Sequence, residues 1–141
     1  MVAEELEKIV QLLKAQGEMR FADPAAPEQI RKFEQQNRTI FPEQYRRWLL
    51  FSDGGECFLP AGVQFYGVAH KPVICMDDPD KPGDNYVVIG ALASGDPILF
   101  EKSSGAVAIY NLEGGCIEDD EVYKDFFAFL TDLKNLLGIG G

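Results

Sequence analysis

The groups able to move protons or attack a substrate are few in this chain: one histidine, His70, and three cysteines, Cys57, Cys75 and Cys116. His70 stands beside Lys71 and Pro72 in a loop-like stretch. With Cys75 it would supply the residue types of a nucleophile and its base. Nothing in the surrounding sequence orients or activates either group, so a surface histidine is the expectation and no catalytic residue is assigned. Three cysteines cannot all pair internally, none lies in a C-x-x-C spacing, and each sits in an apolar or loop context. They read as buried, reduced thiols of a cytoplasmic protein.

Metal and phosphate chemistry fare no better. The stretch Asp78-Pro79-Asp80-Lys81-Pro82-Gly83 imitates the opening of a calcium loop, with acids at positions one and three and glycine at six. Pro82 has no ligand to offer at position five, and Ile89 stands where the closing Glu is required. No G-x-x-x-x-G-K loop is present, and the terminal Gly138-Ile139-Gly140-Gly141 opens no helix. No metal and no cofactor are expected.

Carboxylates remain. Against 13 bases stand 23 acids, a net charge of −10 and a pI near 4.5. Up to Leu49 there are eight of each, so everything after Leu49 carries the whole excess, fifteen acids against five bases. Two groups stand out: Glu118-Asp119-Asp120-Glu121, and the loop acids Asp77, Asp78, Asp80 and Asp84. The first group lies just ahead of an expected helix. Acids there stabilise a helix N-terminus by ~0.3–1 kcal/mol each, yet four adjacent like charges also repel, which leaves room for a role in binding a basic partner. The second group is either a solvated loop or part of the same partner surface. Such a balance counts against nucleic-acid binding, which needs a basic face, and against a polybasic membrane-surface protein. No apolar run approaches the ~20 residues of a membrane span. Glu4, Glu5 and Glu7 occupy the place where a secretory leader would be positive, so the expected location is cytoplasmic.

The elements that must position these groups follow from periodicity. A chain of 141 residues is the size of one domain, 1–141, and buries roughly 68% of its unfolded surface. Ala3 to Gln16 sets Leu6, Ile9, Val10 and Leu13 on one helical stripe, with Gly17 as a stop. Pro27 suits the first turn of a second helix with Ile30 and Phe33 inward. Pro42 opens a third, with Tyr45, Trp48, Leu49 and Ser52 three or four apart, ended by Asp53-Gly54-Gly55. The middle turns to short β-branched and aromatic runs at Cys57–Leu59, Val63–Val68, Tyr86–Leu92, Ile98–Phe100 and Val107–Tyr110. Tight turns between them imply antiparallel pairing. Leu112 to Glu121 reads as a loop, and from Val122 a wide apolar helical face runs to Leu137. The class is α+β: a single, mostly antiparallel sheet flanked by N-terminal and C-terminal helices.

One run is more specific than the rest: Phe41-Pro42-Glu43-Gln44-Tyr45-Arg46-Arg47-Trp48-Leu49-Leu50-Phe51-Ser52-Asp53-Gly54-Gly55-Glu56. It resembles the signature of the SUKH superfamily, in its Smi/Knr branch, where a hydrophobic-Pro-x-x-Tyr helix ends in Asn-Gly-Gly or a variant. Here Asp53 stands in place of the usual Asn. The likeness continues through Phe65-Tyr66-Gly67-Val68, Gly90 to Phe100, Gly105 to Tyr110 and Phe126 to Leu130, in order along essentially the whole chain. The resemblance implies the same α+β fold and no catalysis. It implies that Pro42, Tyr45, Trp48, Gly54, Gly55, Gly95 and Asp96 serve mainly the fold. Many bacterial members look like immunity proteins that neutralise secreted toxins, often nucleases, and fungal relatives act as interaction proteins. The expectation is therefore a non-catalytic protein-binding domain, an immunity protein whose acids meet a basic nuclease toxin. The alternative is an intracellular interaction or regulatory module with no toxin partner.

Overall fold

The computed structural model of the protein describes residues 2–59, 62–70, 72–75 and 82–137, and side chains for all of these except 2, 3 and 118–121. Helix α1 (Val2–Gln16) turns Leu6, Val10 and Leu13 inward, as the stripe requires. Helix α2 (Pro27–Asn37) begins on its proline and buries Ile30 and Phe33. Helix α3 (Glu43–Phe51) uses Pro42 as its N-cap and buries Tyr45, Trp48 and Leu49. A proline costs nothing there, because the first N–H groups of a helix have no intrahelical partner.

The strands are β1 (Met19–Arg20), β2 (Gly55–Cys57), β3 (Val63–Phe65), β4 (Tyr86–Leu92), β5 (Pro97–Glu101), β6 (Val107–Asn111) and β7 (Cys116–Tyr123). They form one sheet in the order β1-β2-β3-β4-β5-β6-β7, every neighbouring pair antiparallel. Two short helices close the chain, α4 (Phe126–Thr131) and α5 (Leu133–Leu136). Helix α1 packs on α3 and α4, and α2 on α3. The α+β class expected from the sequence is the class found.

Strand residues alternate between two faces. Cys57, Phe65, Ile89, Ile98, Phe100 and Ile109 join the helical residues in one core. Trp48 lies at its centre, edge-on to Phe65 and Phe126 at centroid distances of 5.4 and 5.8 Å. On the other face Val88, Leu99 and Ala108 stand side by side in register and are buried outside that core, and the row runs on to half-exposed Val122.

Three features depart from the sequence expectation. The last helix does not start at Val122. Val122 and Tyr123 instead pair with Ala108 and Val107, and Asp125 starts α4 by accepting a hydrogen bond from the Ala128 N–H at 2.8 Å. That helix is also cut in two at Asp132, whose carboxylate accepts from the Tyr123 hydroxyl (2.8 Å) and the Asn135 amide (3.0 Å). The stretch Leu112 to Glu121 is therefore a turn plus most of an edge strand. Finally, β2 begins at Gly55, since Glu56 finds partners on both sides in Arg20 and Gln64, and Phe58 leaves the strand with φ 59°.

The cysteines divide. Cys57 is buried, whereas Cys75 and Cys116 are exposed, which corrects the expectation that all three are buried. Cys75 lies outside the strands, and Cys116 opens β7 opposite Asn111. Burial pushes the Cys57 thiol up to about 12, so it holds its proton throughout the neutral range. At pH 8 a thiol reagent should label Cys75 and Cys116 in the native protein and reach Cys57 only on unfolding. Mass spectrometry of the labelled peptides checks this, and fast native labelling of Cys57 would contradict the packing described.

Candidate protein-binding site

Helix α3 ends against its own signature. Ser52 Oγ donates to the Gly54 carbonyl at 3.0 Å and accepts from the Ala22 N–H at 2.9 Å, and Trp48 Nε1 donates to that same Gly54 carbonyl at 2.8 Å. Gly54 holds φ +100°, and a Cβ there would lie 2.7 Å from the Phe65 carbonyl oxygen, so only glycine fits. The Tyr45 hydroxyl donates to the Tyr66 carbonyl at 2.6 Å. Burial, and then the charge of Asp53, holds that phenol well above its ordinary range.

Asp53 is the polar centre of this region. Its side chain has no exposure, and no lysine or arginine pairs with it among the described residues. Instead its Oδ1 accepts from the Val68 N–H at 2.7 Å, and its Oδ2 from the N–H groups of Ala69 (3.0 Å) and His70 (2.8 Å). The His70 ring adds a fourth contact, Nδ1 to Oδ2 at 2.8 Å. A carboxylate only accepts, so Nδ1 carries the hydrogen and Nε2 is left facing outward on a ring that is 42% exposed. Three consecutive amides around an anion form a backbone nest. Gly67 makes room for it, because a Cβ at that position would lie 2.5 Å from Asp53 Oδ1.

His70 was expected as a free surface histidine; the structure gives it an orienting partner. A carboxylate holding the far nitrogen of an imidazole is half of a nucleophilic triad. Among the described residues no hydroxyl or thiol is hydrogen-bonded to Nε2, and no group of three metal-ligating side chains comes together. The chemistry this arrangement supports is orientation: it fixes the loop after β3 and the plane of the His70 ring.

The acids take up distinct places. Glu118, Asp119, Asp120 and Glu121 do not cap a helix; they lie within β7, an outer strand of the sheet. Between the pairs Ala108↔Val122 and Tyr110↔Ile117, these four residues face only Ile109 of β6. They form a bulge-like break in register, and such breaks re-aim side chains and end regular pairing at a sheet edge. Asp84 is exposed just before β4, beside Asn85, whose amide donates to Ser103 Oγ at 3.2 Å across the end of the sheet. Asp77, Asp78 and Asp80 lie outside the described residues. On the same end of the sheet Glu101 accepts from Ser104 Oγ at 2.6 Å and from the Tyr86 hydroxyl at 3.3 Å. The Ser104 bond above all holds the Glu101 carboxyl below its usual range, so it stays ionised at neutral pH.

The remaining signature residues make internal contacts. Gly55, at φ +105°, opens β2, and Gly95, at φ +97°, makes the β4–β5 turn. Asp96 follows that turn and accepts from the Leu112 N–H at 3.2 Å, which ties it to the β6–β7 turn.

The architecture defines the class first: a single antiparallel meander roofed by helices. Within that class the chain belongs to the SMI1 / KNR4 family (SUKH-1), whose family model matches residues 24–132. No curated protein matches the chain. The match runs from the turn before α2 to the break between α4 and α5, so α1, β1 and α5 lie outside it.

The Asp53 nest makes a stability prediction. Asp53→Ala takes their shared acceptor from three part-buried amides and should cost on the order of 3 kcal/mol. Asp53→Asn keeps one acceptor oxygen but turns an NH2 toward donors, for about 1–3 kcal/mol. His70→Ala removes only a half-exposed contact and should cost about 1 kcal/mol or less. Urea unfolding of the three variants orders them, and an Asp53→Asn as stable as the parent would refute the assigned geometry.

Proposed function

We infer that this chain is a non-catalytic protein-binding domain of the immunity type, which neutralises a basic toxin by covering it, with a nuclease of a polymorphic toxin system as the partner its charge suits. The observation that carries the reading is the acid quartet of β7, raised on a bulge of an outer strand in a chain of net charge −10. An enzyme that acts on nucleic acid presents cations to phosphate, and carboxylates aimed at those cations compete for the same site. Complementary fields also raise association rates, by roughly 10- to 1,000-fold where they steer the encounter. Membership of the family supports the binding role, and the acids Glu118, Asp119, Asp120, Glu121, Asp77, Asp78, Asp80 and Asp84 are proposed as the partner surface.

The test is inhibition of a basic nuclease encoded beside this gene, followed in a cleavage assay and by stopped-flow association. Neutralising the quartet (Glu118→Gln, Asp119→Asn, Asp120→Asn, Glu121→Gln) should slow association roughly tenfold or more at low salt, and added salt should shrink the difference. Full inhibition by the neutralised variant at unchanged rates would remove the quartet from the interface. No inhibition by the parent protein would remove the toxin partner altogether.

A further inference from the structure

The α2–α3 side of the molecule carries the opposite charge. Two adjoining depressions of about 330 and 440 Å³ share Arg31, Glu34 and Arg46 in their walls. Pro27, Ile30 and Leu50 complete one end, and Arg38, Thr39 and Ile40 the other. Glu34 is already neutralised: its carboxylate accepts from Arg46 at 2.8 Å and from the Phe41 N–H at 2.7 Å. Arg46 also reaches Glu43 at 3.2 Å. Arg31 and Arg38 are exposed and have no ion-pair partner among the described residues. The groove is thus cationic in a chain that is strongly anionic overall.

Three consecutive residues at its end each hold a state unfavourable to the free fold. Arg38 closes α2 with φ 52° and ψ 46°, a left-handed position that glycine would occupy without strain. Thr39 is only 7% exposed, and its hydroxyl is the one buried side-chain polar atom without a hydrogen-bond partner among the described residues. Ile40 is 76% exposed, the most of any large hydrophobic residue among the described residues. Strained backbone, an unpaired hydroxyl and an exposed aliphatic side chain together are the signature of a surface made for contact.

We propose that this groove binds an acidic peptide segment of a protein partner, its carboxylates on Arg31 and Arg38 and an aliphatic side chain against Ile40. Arginine forks match carboxylates in pairs, which a strained arginine in place of glycine preserves. Inorganic phosphate would use the cations and leave exposed Ile40 and half-buried Leu50 bare, so the mixed lining favours a peptide. The surface is separate from the acidic strand of β7 and needs nothing from the toxin reading.

The experiment is fluorescence anisotropy with the full chain and a fluorescein-labelled peptide of alternating Glu and Leu. Binding should weaken with salt, and Arg38→Gly and Ile40→Ser should each weaken it about tenfold. Arg38→Gly should at the same time raise the melting temperature, because it relieves the left-handed backbone, a change opposite to what a purely structural arginine would give. Equal binding of a peptide of alternating Lys and Leu, or unchanged affinity in Arg38→Gly, overturns the proposal. So does preferential binding of a DNA duplex, or sedimentation showing that a second copy of the chain already fills the groove.

Discussion

A buried carboxylate with no lysine or arginine partner among the described residues fixes the geometry of this protein. An ionised group removed from water survives in a fold only when its lone pairs are met by strong donors. Asp53 meets that condition with three successive amides and one imidazole, all from residues 68 to 70. The chain after β3 must therefore return across the end of α3, and at Gly67 it leaves a gap that a side chain would close. Tyr45 and Trp48, about two turns and one turn earlier in α3, fasten the same region by donating to the Tyr66 and Gly54 carbonyls. Helix and sheet are joined here by polar bonds of fixed direction, and the aromatic core fills the space that they define.

Around that joint the charges segregate. Residues up to Leu49 supply α1, β1, α2 and most of α3, and they hold eight acids and eight bases; the later strands and turns hold the excess of acid. A row of like charges on an outer strand repels a second sheet edge, so the bulge at Glu118 to Glu121 also guards β7 against edge-to-edge pairing. Protection of the edge and attraction of a basic partner are compatible uses of one feature. The helical side, with paired acids and free arginines, has a different field and suits a different ligand.

How much of this the sequence displays depends on whether cause and effect are close along the chain. The first three helices are legible because Leu6, Val10, Leu13, Ile30, Phe33, Tyr45 and Trp48 repeat at the helical period and each helix has a local stop or start. The meander is legible from its glycine turns. Strand β7 is hidden, because four acids defeat its β propensity and the bulge destroys the period of two. Strand β1 has only two residues and no period at all. The role of Asp53 is hidden for another reason: its partners lie 15 to 17 residues away, and a carboxylate next to two glycines looks like the end of a helix. Among the candidate site residues, those of the family signature carry local patterns, whereas Arg38-Thr39-Ile40 carry none, because φ, burial and exposure are properties of the folded chain.

Frame and surface have different tolerances, and that difference bears on how such a domain can serve binding. Tyr45, Trp48, Asp53 and Gly54 each satisfy partners far along the chain, so a change at any of them disturbs several contacts at once. The residues of the β7 bulge face a single residue of β6 and stand outside regular pairing, and Ile40 and Arg38 lie on an exposed turn. Substitution there alters charge and shape with little effect on the core, typically within about 0.5 kcal/mol for a surface site. A rigid sheet and helical roof that hold variable charge on an edge and a turn can therefore be refitted to new partners without being refolded. The Asp53 nest makes this possible, because it locks the frame by directional bonds that involve none of these residues.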